Sequence, residues 1–382
     1  MNRSYKFRLY PTQQQVKILN DTIETCRHLY NDSLGERGCD WDVGFWEQKQ
    51  LLTLRKQDDK YLKQVHSQVL QDVLLRLDKA YQAFFKKMMK YPKFKRREKY
   101  NSFSYPQYGG FQFKRGKLVL SCIGAIDIRM HRIPVGALKR CTVIRDVDQW
   151  YCCITSNDGI DSIESKSIKN VIGIDVGIEN VLVLSTGEMI ENPRHLKQSI
   201  KRIKELQRSL SRKEKGSGNR EKTRIQLAKT WRKVRNQRTD YAHKASTKLA
   251  SAYDTIVFED LKIKNMVKNH SLAQAIMDAA WGQLRRFSTY KVERRGGRVI
   301  LVNPSGTSQK CSGCGVVVQK DLSVRTHECP GCGLVLHRDH NAALNILKLG
   351  LEQTLAEKQP LLVKRISKFQ SRKQEAHEFI RG

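Results

Sequence analysis

The sequence predicts a multidomain α/β protein. Three observations carry that prediction. The chain has 382 residues, which at about 150 residues per domain gives two to three domains. Residues 101–157 hold short strands in series. Beyond a polar stretch at 157–169, strands and helices alternate to about residue 349. Lys plus Arg number 71 against 38 Asp plus Glu, a net charge of +33. A fold does not need that excess, so an anionic partner is implied, most simply a nucleic acid. A mean hydropathy of −0.57, with neither a window of about 18 apolar residues nor an apolar leader, argues against a membrane protein. Hydrophobic residues at 39% argue against wholesale disorder.

The first element is Tyr5-Lys6-Phe7-Arg8-Leu9-Tyr10, apolar and basic residues in alternation, stopped by Pro11. That is a half-buried strand. From Thr12 the period becomes helical through Val16, Leu19, Ile23 and Cys26. A second helical block is expected over Tyr61–Met89, ended by Tyr91-Pro92. The runs Phe111–Phe113, Lys117–Leu120, Ile126–Ile128, Cys141–Ile144 and Trp150–Ile154 read as a barrel or sandwich. The first strand could complete it, making the helices an insertion.

Next come Val171-Ile172-Gly173-Ile174-Asp175-Val176-Gly177 and Val181–Leu184, a β-meander. Residues 194–250 carry 19 Lys/Arg against 4 Asp/Glu and break at Lys215-Gly216-Ser217-Gly218, as two basic helices would. Thr255–Glu259 is a buried strand, and the stripe Leu272, Ile276, Ala279, Ala280, Leu284, Phe287 a single helix ending at Gly296-Gly297. Arg298–Asn303 is a strand and Asn341–Leu349 the last helix. Residues beyond about 352 read as a mobile tail.

Cys311-Ser312-Gly313-Cys314 and Cys329-Pro330-Gly331-Cys332 point four thiolates at one centre, the pattern of a structural zinc site. His327 and His337 flank it as surface or supporting residues. The other six cysteines read as reduced intracellular thiols. Three acids stand out: Asp175 closes a strand between glycines, Glu259 ends another, and Asp339 precedes the last helix. Singly, each has a plain structural reading as a turn, helix-start or N-cap residue. Together, the order strands, helix, strand with Glu, helix, strand, helix with Asp fits an RNase H-like layout. Three converging carboxylates need hard cations, Mg²⁺ or Mn²⁺, and two ions could serve phosphodiester hydrolysis. The basic helices, with Arg202, Arg212, Lys213 and Arg232, read as phosphate contacts. Lys93, Lys95, Arg96 and Arg97 read as a backbone clamp. Tyr30, Trp41, Phe45, Trp46 and Tyr61 read mostly as core.

On Gly173–Gly177, Phe258-Glu259-Asp260-Leu261-Lys262, the two CxxC pairs, Arg338–Ile346, Arg8-Leu9-Tyr10-Pro11 and Ala280-Trp281-Gly282, the chain resembles the TnpB family, transposon-encoded RNA-guided DNA endonucleases. The likeness runs from residue 3 to about 349. It implies a wedge β-barrel (1–10 and 99–165) with an inserted helical recognition region (11–98). It further implies a RuvC nuclease (166–305 and 336–350) interrupted by a zinc ribbon (306–335), then a tail (351–382). Asp175, Glu259 and Asp339 fall on the family's magnesium-binding catalytic acids. Phe45, Lys49, Ser67 and Gln71 fall where the family contacts the duplex of a short motif beside the target. The implied cofactors are one Zn²⁺, two Mg²⁺ and a guide RNA. The implied partners are that RNA and double-stranded target DNA, with the protein a monomer in its complex, cytoplasmic and nucleoid-associated. An RNA-guided binding regulator without cleavage, or a transposase accessory protein, is the alternative.

Overall fold

The computed structural model describes residues 1–40, 42–160, 163, 169–321 and 323–356. Trp41, most of the polar linker and residues 357–382 of the expected tail lie outside the described residues. The chain divides into two units, residues 1–162 and 163–382.

In the first unit the alternation at the start becomes the strand Asn2–Tyr10, with Tyr5, Phe7 and Leu9 buried. It lies inside a seven-stranded sheet, pairing antiparallel with Gln149–Asn157 on one side and Gly124–Arg129 on the other. The sheet runs Ser102–Tyr105, Ala137–Asp146, Gln149–Asn157, Asn2–Tyr10, Gly124–Arg129, Lys117–Leu120, Phe111–Lys114. The two edge strands do not pair with each other, so hydrogen bonds do not close the sheet. Between the first strand and the rest come helices Gln13–Cys39, Phe45–Asp58, Lys60–Lys63 and Ser67–Phe85, which share one core with the sheet.

The expected helix over 61–89 is shorter and interrupted. The Asp59 carboxylate caps the Tyr61 and Leu62 amides and starts a single turn, and a new helix begins at Ser67. That helix stops at Phe85, before Lys87 turns left-handed (φ 55°). Phe45–Asp58 is a separate helix that the apolar pattern does not single out.

The second unit holds a five-stranded sheet: Met189–Glu191, Asn180–Leu184, Val171–Asp175, Thr255–Glu259, Arg298–Val302. Val171–Asp175, Thr255–Glu259 and Arg298–Val302 are parallel neighbours. Strand alternation assigns their two faces. Ile172, Ile174, Ile256 and Phe258 pack with Ala242, Leu249, Trp281 and Leu284 from helices Gly218–Ala252 and Trp281–Glu293. Val257, Ile300 and Val302 face the other way, onto Ile346 of the helix formed by residues 338–356. That helix is longer at both ends than the expected 341–349, so Asp339 sits inside its first turn and is not an N-cap. The stripe 272–287 is not one helix. Ala280 adopts a left-handed conformation (φ 54°) and splits it into His270–Ala279 and Trp281–Glu293.

The helix at 338–356 lies directly on the strand Val171–Asp175. A Cβ on Gly173 would come 2.3 Å from the Ala343 carbonyl oxygen and 2.5 Å from the Leu347 amide nitrogen. Both are backbone atoms of a packed helix and cannot step aside. Gly173→Ala is therefore expected to destabilise the protein by at least about 3 kcal/mol, read as a lower melting temperature or insolubility. Gly35 is the control. It lies within helix Gln13–Cys39 with open space where its Cβ would be, so Gly35→Ala should be neutral or stabilise by up to about 1 kcal/mol.

Candidate catalytic and metal centres

Two carboxylates reach the same end of the second sheet because their strands are parallel and in register. Phe258 pairs with Ile174, which puts Glu259 and Asp175 side by side at the carboxyl ends of adjacent strands. Asp175 lies on the same face as Gly173, and Glu259 on the same face as Val257. That is the face the helix at 338–356 covers. From Gly173 to Asp175 a strand advances about 6.6 Å, and from Ala343 back to Asp339 a helix advances about 6 Å. The third carboxylate is thereby carried to the first two. Asp339 is 6% exposed. One of its oxygens lies 3.9 Å from where a Cβ on Gly177 would stand, just beyond Asp175 in the chain.

Asp175 feels the other two acids. Burial, then the charges of Glu259 and Asp339, push Asp175 up to about 8. Burial also raises Glu259, opposed by a hydrogen bond from the Thr307 hydroxyl to its Oε1 at 2.5 Å. Arg338 Nε and Arg325 Nη1 stand 3.4 and 3.9 Å from the Asp339 carboxylate. Crowded carboxylates with raised proton affinity fit a hard divalent cation, which would take the place of the proton.

The cysteines form a second centre. Their four sulfurs lie within 4.8 Å of one another, with Cys311 and Cys332 at 3.6 Å and Cys314 and Cys329 at 3.4 Å. Ligand bonds of about 2.3 Å in a tetrahedron put sulfurs roughly 3.8 Å apart, so the cage fits one zinc ion. Among the described residues the carboxylates are not drawn together in that way. Each CxxC makes the same knuckle: Cys311 N donates to Val316 O and Gly315 N to Cys311 O, and Cys329 N donates to Leu334 O and Gly333 N to Cys329 O. The Cys314 amide, with help from His327 and the Gly313 amide, lowers the Cys311 thiol to about 5, while at Cys332 the Leu334 amide is outweighed by the neighbouring sulfurs, which raise the thiol to about 12. His327 is fully buried, not a surface residue, and its Nδ1 contacts Lys320 Nζ. The hairpin Thr326–Glu328 with Val335–His337 leads from the cage into the Asp339 helix.

Two asparagines join the centres. Asn341 Nδ2 donates to the Lys310 carbonyl at 2.7 Å, and its Oδ1 accepts from the Ser312 amide at 2.9 Å. Asn345 Nδ2 donates to the carbonyls of Thr307 and Lys310. The first knuckle is thus bonded to the helix that bears Asp339. Sequence reasoning assigned no role to Asn341, Asn345, Thr307 or Arg325. The available signal was two amides one helical turn apart in an otherwise apolar run.

The expected nucleic-acid contacts divide. Lys93, Arg96 and Arg97 are exposed, on a segment pinned where Asn31 bonds both the amide and the carbonyl of Lys95. Ser67 is exposed and accepts from Lys56 Nζ, and with Gln71 it lines a groove of about 300 Å³. Lys49 is half-buried with its Nζ 5.1 Å from the Trp46 ring centre. Phe45 packs against the core. Arg202 and Arg212 are exposed on helix His195–Arg212. Lys213 is tied to Asn219 O and Thr223 Oγ1, bracing the turn between the basic helices. Arg232 is only 9% exposed, unlike Arg202 and Arg212. Tyr30 is core, whereas Trp46 and Tyr61 are exposed.

Freshly purified protein should contain one zinc per chain. Cys311→Ser should lower that content and, through the Ser312–Asn341 bond, the melting temperature. The checks are elemental analysis and thermal denaturation with and without a chelator, since metal binding and folding of such a cage are coupled.

Known proteins share long stretches of this sequence. Residues 152–270 match the family described as "Probable transposase" and residues 281–346 the "Cas12f1-like, TNB domain". Residues 1–41 match a "Helix-turn-helix domain", although here they form one strand and one long helix. A Streptomyces pristinaespiralis protein named "Putative RNA-guided DNA endonuclease" is 37% identical, covering 92% of this chain and 90% of its own. "Putative RNA-guided DNA endonuclease InsQ" of Escherichia coli K12 is 30% identical, covering 91% and 92%. The structure of the mini-RNA-guided endonuclease CRISPR-Cas_phi3 aligns with a TM-score of 0.48 at 10% identity, covering 92% of each chain. On the identity to the first two relatives across nearly its whole length, the chain belongs to the TnpB family of transposon-associated proteins.

Proposed function

We propose that the protein is an RNA-guided DNA endonuclease that cuts double-stranded DNA at a single RuvC-type site. The observation that supports it best is the meeting of Asp175, Glu259 and Asp339 on one face and at one end of the second sheet. On this reading the three carboxylates hold two Mg²⁺ ions, which when bound supply charge neutralisation and an activated water for phosphodiester hydrolysis. The chain's own residues do the positioning. Asp175 and Glu259 are held rigid by parallel pairing, Asp339 by the helix packed on Gly173. Arg325 and Arg338 bring positive charge beside Asp339, suited to a scissile phosphate.

Affinity and specificity lie elsewhere. A net charge of +33 suits a guide RNA derived from the transposon end, and base pairing with that guide reads the target. The first unit serves as the wedge and recognition region, with the groove at Ser67 and Gln71 facing the adjacent-motif duplex. Residues 306–335 are the zinc ribbon, whose four cysteines hold one structural zinc. The protein acts in the cytoplasm at the nucleoid, one copy per guide. Among the described residues no helix is long and apolar enough to cross a membrane.

Asp175→Ala is expected to abolish cleavage while RNA binding and guided target binding stay near wild type. Carboxylates that act only when the phosphodiester reacts add nothing to ground-state affinity. Cleavage and binding are measured on one target with RNA-bound protein, the RNA identified by sequencing. Near wild-type cutting by Asp175→Ala would defeat the catalytic assignment. Loss of target binding would defeat the separation of binding from chemistry.

A further inference from the structure

Thr307 follows the strand Arg298–Val302, at the head of the insert, and is 3% exposed. Its hydroxyl lies 2.5 Å from Glu259 Oε1 and 3.1 Å from the Pro304 carbonyl. A hydroxyl has one proton, and a carboxylate is the stronger acceptor, so the proton goes to Glu259. The Thr307 carbonyl in turn accepts from Asn345 Nδ2 at 2.8 Å. Asn345 is 8% exposed and stands on the helix that carries Asp339. A short charge-assisted bond on one side and a buried amide on the other leave Thr307 little freedom.

We propose that Thr307 is a positioning residue for the cleavage centre. By occupying Oε1 it fixes the orientation of the Glu259 carboxylate and leaves Oε2 as the oxygen that would hold a divalent ion. Through Asn345 it makes Glu259 and Asp339 move as one body. The inference rests on reading the three acids as metal ligands. Among the described residues nothing else in the Thr307 environment calls for a hydroxyl. The Pro304 carbonyl is a weaker partner, and a valine would fill the same space.

The test uses the purified RNA-bound protein. Thr307→Val keeps the shape and removes the hydroxyl; Thr307→Ser keeps the hydroxyl. Glu259→Gln and Asp175→Ala report on the acids themselves. Mn²⁺ affinity is read by electron paramagnetic resonance of free manganese. The Mg²⁺ midpoint for cleavage, guided target binding and the melting temperature are measured alongside. Thr307→Val should weaken Mn²⁺ binding about tenfold or more and raise the Mg²⁺ midpoint in parallel, the scale of losing a hydrogen bond to a charged group. Target binding should hold, and Thr307→Ser should restore most of the loss.

If Thr307→Val matches wild type in both metal readouts while Glu259→Gln is defective, the inference is wrong and the acid reading stands. Equal losses in the Val and Ser variants also overturn it, since the hydroxyl would then not be the cause. If Glu259→Gln and Asp175→Ala themselves bind Mn²⁺ and cut normally, the acid reading fails first. Should the valine variant not fold, Thr307→Ala against Thr307→Ser makes the same comparison.

Discussion

The contact between the backbone of helix 338–356 and the strand at Gly173 is what the second unit is built around. Helix and strand can approach so closely only where one of them has no side chain. Gly173 supplies that gap under Ala343 and Leu347. Gly350 repeats it one strand along on the same face, where a Cβ would press on Val257 at 2.5 Å. Two such points fix both the height and the direction of the helix over the sheet. Once they are fixed, Asp339 has no choice of position, because one helical turn beyond Ala343 lies the end of the strand that Asp175 closes. The alignment of the acids is thus a consequence of packing, enforced by the whole buried face of Val257, Ile300, Val302 and Ile346.

That arrangement is electrostatically costly by itself. Three carboxylates are brought together where burial already disfavours charge, and Asp175 shows it most. A cationic surface could relieve such a cost, yet most of the +33 charge is not spent there. Residues 194–250 alone hold a net of +15, on helices that buttress the opposite face of the sheet through Ala242 and Leu249. Beside the acids stand Arg338 and Arg325, at Asp339, while on the opposite face Arg238 is turned to Asp278 at 2.9 Å. The long basic helices thus hold their charge on the face of the sheet away from the carboxylates.

Much of this was legible in the sequence, and the legible parts share a cause. Alternation at Tyr5, Phe7 and Leu9, the apolar run Ile172–Ile174 and the paired CxxC knuckles each encode structure within a few residues. The acids could be picked out because each ends or begins an element. The failures are non-local. The stripe through Ala280 reads as one helix, since nothing in its spacing reveals that Ala280 turns left-handed to let Trp281 reach the Gly177 carbonyl with its Nε1. Arg232 reads as a surface charge because burial depends on what packs over it. Thr307 carries no pattern at all, because its partners Glu259 and Asn345 are 48 and 38 residues away.

The insert between Val302 and Arg338 places the four-cysteine cage directly ahead of the Asp339 helix. Most strand-to-helix connections in such folds are short, and long ones without structure of their own are uncommon. Here the connection must deliver the first turn of a helix whose second residue is Asp339. A floppy connection would let that turn fray, since the first amides of a helix have no partners within it. The four-cysteine cage converts the connection into a small folded body with two equivalent knuckles. Asn341 then transfers its rigidity to the helix through the Ser312 amide and the Lys310 carbonyl. Asn345 carries it one turn further, to Thr307 and so to Glu259. The cysteine cage and the acids are chemically unrelated, one made of soft thiols, the other of hard carboxylates. They are bonded into one unit through Asn341 and Asn345, so the cage bears on the geometry of the acids without touching them.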